Sequence, residues 1–326
     1  MSKFNPAAIY HTGVALLPYR RHLMVTGSEA KDFLQAILTQ DMAMIGDRQS
    51  IYTAFCSAKG RCHALFIVTP FQDGFALAVQ DDLLEFMQKR LQMFVLRRDV
   101  QITPLADYRT IGVLVKAKTS LNIDGLPTGL YALTSEETAP LTTDYLSDGW
   151  VIAEQRGGQP RLTLTAPESA INTIKSALEA SLGRIAASDF ERAEIQDRIP
   201  AVYQATENTF VPQWLNLDEL NAFSLKKGCY PGQEVIARLH YLGKPNRRMF
   251  AGHALGVRAF SPGTDIVNQD DQVVGEIVRS VEVGDDCQFL AVMKLKHLHD
   301  SLQINSVPVT LEHTGPQPEN LSETTH

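Results

Sequence analysis

The sequence predicts an α+β region followed by an all-β region, and three observations carry that expectation. Before residue 240, apolar residues recur at helical spacing in several segments that begin or end at residues suited to helix termini. Between those segments lie short apolar runs of strand length, rich in Val, Ile and Phe. After residue 248 the helical spacing stops, and short alternating segments are punctuated by Pro262-Gly263, residues 268–271 and Gly284-Asp285-Asp286.

Taken in order, residues 20–27 read as a strand closing on Gly27, and Ser28 is placed to cap a helix whose Phe33, Leu34, Ile37 and Leu38 form one face. Residues 51–56 and 63–69 read as strands joined by the glycine-containing turn 57–61, and a third strand follows at 75–79. Asp81 is placed to cap a helix through Arg90, with Leu83, Leu84, Met87, Leu91 and Phe94 on one side. From about residue 103 to 166, apolar runs at 111–115, 150–153 and 161–165 alternate with polar turns, and 118–147 carry the weakest pattern. Pro167 opens a helix bearing Ile171, Ile174, Leu178 and Leu182, which Gly183 ends. Ser188, with Glu191 at the capping-box position, begins a short helix through Arg192, Glu194 and Gln196 to Pro200. Runs at 249–255, 273–283, 287–295 and 307–311 then predict a small antiparallel barrel or sandwich. The polar, proline-containing end, 314–326, reads as disordered.

Composition narrows the function classes. The chain has 326 residues, 44% hydrophobic and 21% charged, the profile of a globular protein long enough for more than one domain. No apolar run approaches the roughly 20 residues a membrane-spanning helix needs, and the start lacks the layout of a signal peptide, so a cytoplasmic protein without membrane contact is expected. A net charge of -7 offers no general footprint for a nucleic-acid backbone, so direct binding to nucleic acid is not expected. Four scattered cysteines, Cys56, Cys62, Cys229 and Cys287, form neither a disulfide framework nor a CxxC pair, and no resident metal site is expected from them. Cys287 reads as structural, and His297 and His299 lack a third ligand.

Residues 226–238 concentrate the chemistry. Pro231 marks a helix start, with Gln233 and Glu234 in the first turn and Val235, Ile236 and Leu239 supplying an apolar face. Cys229 then precedes a helix N-terminus and follows Lys226 and Lys227, and both features favour the thiolate, the form that acts as nucleophile or metal ligand. The plain alternative is a small residue buried in a tight turn. Arg238, His240, Lys244, Arg247 and Arg248 form a basic strip beside it, either a solvated face or a receptor for an anionic ligand.

The stretch K-G-C-Y-P-G-Q-E-V-I-A-R resembles the signature of the YgfZ family, folate-binding proteins related to the glycine-cleavage T-protein aminomethyltransferases. Phe210-Val211-Pro212-Gln213, Asn216-Leu217-Asp218, Tyr241-Leu242-Gly243-Lys244 and the Thr39-Gln40-Asp41 segment extend the resemblance, which spans most of residues 20–310. It implies a T-protein-like fold of three subdomains: two interleaved α+β subdomains within 1–240 and a C-terminal antiparallel β-barrel at 241–313. Tetrahydrofolate or a derivative is the implied cofactor. Relatives carry an R-x-E-x-G-x-P pattern whose glutamate meets the pterin; here either Glu194 or Gln196 takes that place, with Arg198 where the glycine belongs. Phe190 is a candidate stacking surface, Tyr230 a further folate contact, and Arg238 and Arg248 candidates for the glutamate tail. Cys229 is the implied reactive group, with Lys227 tuning it.

In true aminomethyltransferases the turn near residue 60 resembles a glycine turn followed by paired aspartates, one of them catalytic. Ala64 and Leu65 stand there, and neither can move a proton. The resemblance therefore implies a folate-dependent accessory protein that supports iron–sulfur cluster assembly or repair and acts on tRNA modification indirectly. Its partners would be iron–sulfur enzymes or assembly proteins, and it would act as a monomer. The alternatives are a tetrahydrofolate-dependent aminomethyltransferase or demethylase, and a binding module in which folate is only a ligand.

Overall fold

A computed structural model describes residues 11–116, 141–154, 156, 159–241, 243 and 245–312. The chain opens with β1 (Gly13–Leu16), then builds β2 (Arg20–Thr26), α1 (Ala30–Ile37), β3 (Ile51–Cys56), β4 (Cys62–Phe71), β5 (Gly74–Gln80), α2 (Leu84–Val95) and β6 (Gln101–Pro104). It continues with β7 (Tyr108–Leu114), β8 (Thr142–Leu146), β9 (Gly149–Glu154), β10 (Arg161–Pro167), α3 (Glu168–Leu182), α4 (Ala187–Gln196) and α5 (Gln233–Tyr241). Last come β11 (Arg247–Ala254), β12 (Asp265–Val267), β13 (Val273–Val283), β14 (Asp286–Lys294), β15 (Leu302–Ile304) and β16 (Val307–Leu311).

The chain divides into two interleaved units, Met1–Pro18 with Asp107–Ala193, and Tyr19–Ala106 with Glu194–His326. In the first unit, β1-β7-β10-β9-β8 form an antiparallel sheet. Ile171, Ile174 and Leu178 of α3 pack on its Ile111, Val113, Leu162 and Leu164, as the helical spacing requires. Phe190, fully buried, lies across β7 at Gly112, where an added Cβ would stand 2.4 Å from the ring. Only a residue without a side chain admits that ring.

The second unit holds an antiparallel sheet of order β3-β4-β5-β2-β6 and the closed barrel β11-β14-β13-β12-β15-β16. Of the two all-β options the sequence left open, the barrel is correct. Its β12 and β15 are only three residues each, too short to show an alternation. Phe250, Ile277, Cys287, Phe289 and Ile304 fill its interior.

The three expected caps are corrected. Helix α1 begins at Ala30, and the Ser28 N–H and hydroxyl both donate to the Asp99 carboxylate, at 3.1 and 2.7 Å. Asp81 opens a 3₁₀ turn (Asp81–Leu83) before α2 and accepts from Arg21 at 3.0 Å. Helix α4 starts one residue before Ser188, and the Asp189 carboxylate accepts the Ala186 N–H at 2.9 Å. In each case another partner takes the position: a carboxylate for Ser28 and at the start of α4, and the Arg21 guanidinium for Asp81. Most of the weakly patterned stretch, 117–140, and the expected disordered tail lie outside the described residues, as does Lys244.

Candidate functional site

Two groups of residues in the second unit carry the chemistry. The first lines a small cleft between β2, β4, β5, residues 199–202 and β13, with a cavity volume of about 40 Å³. Glu194, only 3% exposed, stands in its wall and pairs with the Arg20 guanidinium and, at 3.1 Å, with Arg279. Arg279 also donates to the Ile199 carbonyl at 3.3 Å. Burial alone would lower the Arg20 pKa, but Glu194, Tyr19 and Tyr52 outweigh it and raise it above its ordinary value. Two guanidinium groups and one carboxylate leave this wall with both donors and acceptors in a fixed array. Tyr52, Gln80, Leu65 and Ala78 are among the other walls, so polar and apolar groups share the lining.

The two alternatives left by the sequence sit differently. Glu194 faces the cleft, whereas Gln196, two residues on, is exposed at the helix end. Of the pair standing where the aspartates would be, Ala64 is fully buried and Leu65 lines the cleft. Phe190 is fully buried against Gly112 of β7.

The second group is the 226–238 stretch. Cys229 is exposed, as a reactive thiol must be. Lys227, 8% exposed, donates to the carbonyls of Leu38 at 2.7 Å and Gln40 at 3.0 Å, and its ammonium lies 5.2 Å from the Tyr230 ring centre. Burial lowers its pKa to about 8, with Asp41 opposing. The Tyr230 hydroxyl donates to the Ser224 carbonyl at 3.0 Å, and burial followed by the nearby Cys56 pushes its pKa up. Helix α5 begins two residues after Pro231. Gly232, at φ +82°, rests on the 57–61 turn, where an added Cβ would lie 2.6 Å from both Gly60 Cα and Ser57 O.

The basic strip is split. Arg248, 3% exposed, is clamped by Asp218 at 2.7 and 2.8 Å and donates to the Gln213 carbonyl at 2.8 Å. Both of its terminal nitrogens are thus engaged within the fold. Arg238 is exposed and pairs with Glu234 one turn earlier at 2.7 Å. Arg247 and Arg61 lie 4.8 and 5.8 Å from the Trp214 ring centre. His297 is engaged by Asp300 at 2.7 Å, and among the described residues no group of three or more His, Cys, Asp or Glu side chains is placed to hold a metal.

Sequence reasoning missed Arg20 and Arg279, which meet Glu194 from positions 174 residues upstream and 85 downstream. The available signal is Arg279 itself, a charge inside the strand run V-V-G-E-I-V-R-S-V.

No family model matches the chain. It is similar to curated proteins named tRNA-modifying protein YgfZ: 26% identical over 278 residues to that of Cronobacter sakazakii, covering 80% of this chain and 78% of the relative. The relative of Colwellia psychrerythraea is 29% identical over 231 residues, covering 70% and 67%, and that of Klebsiella pneumoniae 24% over 308, covering 88% and 90%. Among solved structures, the glycine cleavage system aminomethyltransferase T of Bartonella henselae superposes with a TM-score of 0.68 at 12% identity, covering 93% of this chain and 86% of that one. The fold is that of the aminomethyltransferase.

Proposed function

We propose, on the premise that this chain is a relative of the YgfZ proteins, that it binds a reduced folate in the Glu194 cleft and uses Cys229 to support iron–sulfur cluster assembly or repair. The observation that carries the folate assignment is the buried Glu194 carboxylate held between two guanidinium groups in the wall of a cleft that also offers apolar surface. A pterin edge presents N–H donors beside a carbonyl acceptor, and a carboxylate flanked by arginine donors is its complement. Arg20 and Arg279 fix the carboxylate, so it needs little reorganisation on binding. Arg238, exposed, suits the anionic tail better than Arg248.

Leu65 in the cleft wall argues against amine transfer, because no acid stands where a proton would have to move. Exposure of Cys229 supports a thiol that meets sulfur, a metal in transit or a client cysteine. Effects on tRNA would follow indirectly, through cluster-containing modifying enzymes, a reading prompted by the relatives' name.

The test is complementation in cells lacking their own relative, reading the activity of a cluster-dependent enzyme. Cys229→Ser should abolish rescue while leaving the urea midpoint unchanged. Full rescue by Cys229→Ala would refute the thiol's role and leave a binding module. Formation of methylene-tetrahydrofolate from an amine donor would instead make it a transferase.

A further inference from the structure

The buried pair Cys56 and Cys62 has no part in the function proposed above. The two are directly opposed residues on β3 and β4, at a break in register next to Phe55, and their Sγ atoms lie 3.8 Å apart with both side chains 1% exposed. Opposed residues of an antiparallel pair have Cα atoms about 4.5–5.5 Å apart, inside the range a disulfide spans. The sulfur contact itself shows the two side chains within reach of each other. The register break adds local freedom at the point where the side chains must rotate. The contact with Cys62, then burial, raises the Cys56 pKa, which fits a resting dithiol.

We propose that Cys56 and Cys62 form a reversible redox couple, a modification site that closes the β3–β4 hairpin with a disulfide. With a low-molecular-weight disulfide as oxidant, one cysteine thiolate attacks and one small thiol leaves. The second cysteine then attacks the mixed disulfide and the second small thiol leaves, so two protein thiols are oxidised and one small disulfide reduced. The bond would tie down the 57–61 turn, whose exposed tip lies between the two cysteines. That turn supports Gly232 and Val235, which lie just beyond Cys229. Tyr230 is close enough to Cys56 to feel its charge. Oxidation would thus stiffen the support of the 226–238 stretch.

The test equilibrates the full chain in glutathione buffers of graded potential, alkylates free thiols and digests with trypsin. Cleavage after Lys59 and Arg61 separates the hairpin, so the bond would join peptides 49–59 and 62–89. The expected result is that joined species, lighter by the two hydrogens lost, reversed by dithiothreitol, absent in Cys62→Ala and unaffected by Cys229→Ala. Amides of residues 57–61 and 232–236 should exchange several-fold more slowly in the oxidised form. Both cysteines alkylated at every potential, or a link to Cys229 in place of this one, would overturn the proposal. Because the wild-type digest decides alone, a variant that fails to fold does not blunt the test.

Discussion

At the scale of single residues, burial of charge sets the measurable behaviour. Burial, then Arg20 and Arg21, lowers the His22 pKa from 6.5 to about 3. Between those values the unfolded chain takes up a proton that the folded one refuses. The stability His22 contributes is therefore present above pH 6.5 and lost as pH falls towards 3, roughly 3–5 kcal/mol in all. Urea denaturation across that window should show the loss, and His22→Gln should flatten it. Lys227 follows the same sign in a higher window: stability rises from pH about 8 to 10.5 as the unfolded chain alone stays protonated, and Lys227→Met should remove that slope. Glu194→Gln leaves two guanidinium groups facing a neutral amide, and the expected cost is about 3–5 kcal/mol in unfolding free energy. The sequence pointed to Cys229 and Lys227 because each sits in a local pattern, and it left Glu194 and Gln196 as alternatives. It hid Arg20, whose partner Glu194 lies far along the chain, marked Arg279 only as a charge inside an apolar strand run, and gave no sign that Asp218, thirty residues away, pairs with Arg248.

At the scale of elements, close backbone approach matters more than propensity. Gly232→Ala places a methyl 2.6 Å from the Gly60 backbone at a φ of +82°. A loss of about 2–3 kcal/mol is expected, read by urea denaturation, together with faster amide exchange over α5. Gly112→Ala, pressed into the Phe190 ring, should cost about 1–3 kcal/mol, and Phe190→Leu on that background should recover part of it. Helix and strand positions were legible wherever an apolar face repeats, as in α1, α2 and α3. Their caps were not: Ser28 and Asp81 satisfied the pattern but were claimed by Asp99 and Arg21, partners that become neighbours only on folding.

At the scale of the whole molecule, the order of an α+β region followed by an all-β one was legible from the change of period near residue 248, and the interleaving from resemblance alone. The barrel is not an appendix to its unit. Asn216 bonds both backbone groups of Met249, Arg248 holds Asp218, and Arg279 of β13 reaches Glu194. Truncation after residue 245 should consequently yield an insoluble or molten chain by near-UV dichroism. The same dependence puts the cleft at the centre of the account, because β13 supplies one of its walls. The most direct measurement is calorimetric titration of tetrahydrofolate into the wild type and into Leu65→Trp, which fills the slot without touching the ion pairs. The account predicts a Kd on the order of micromolar for the wild type and at least a tenfold loss in the variant. No heat of binding to the wild type, or equal affinity in both, would contradict it.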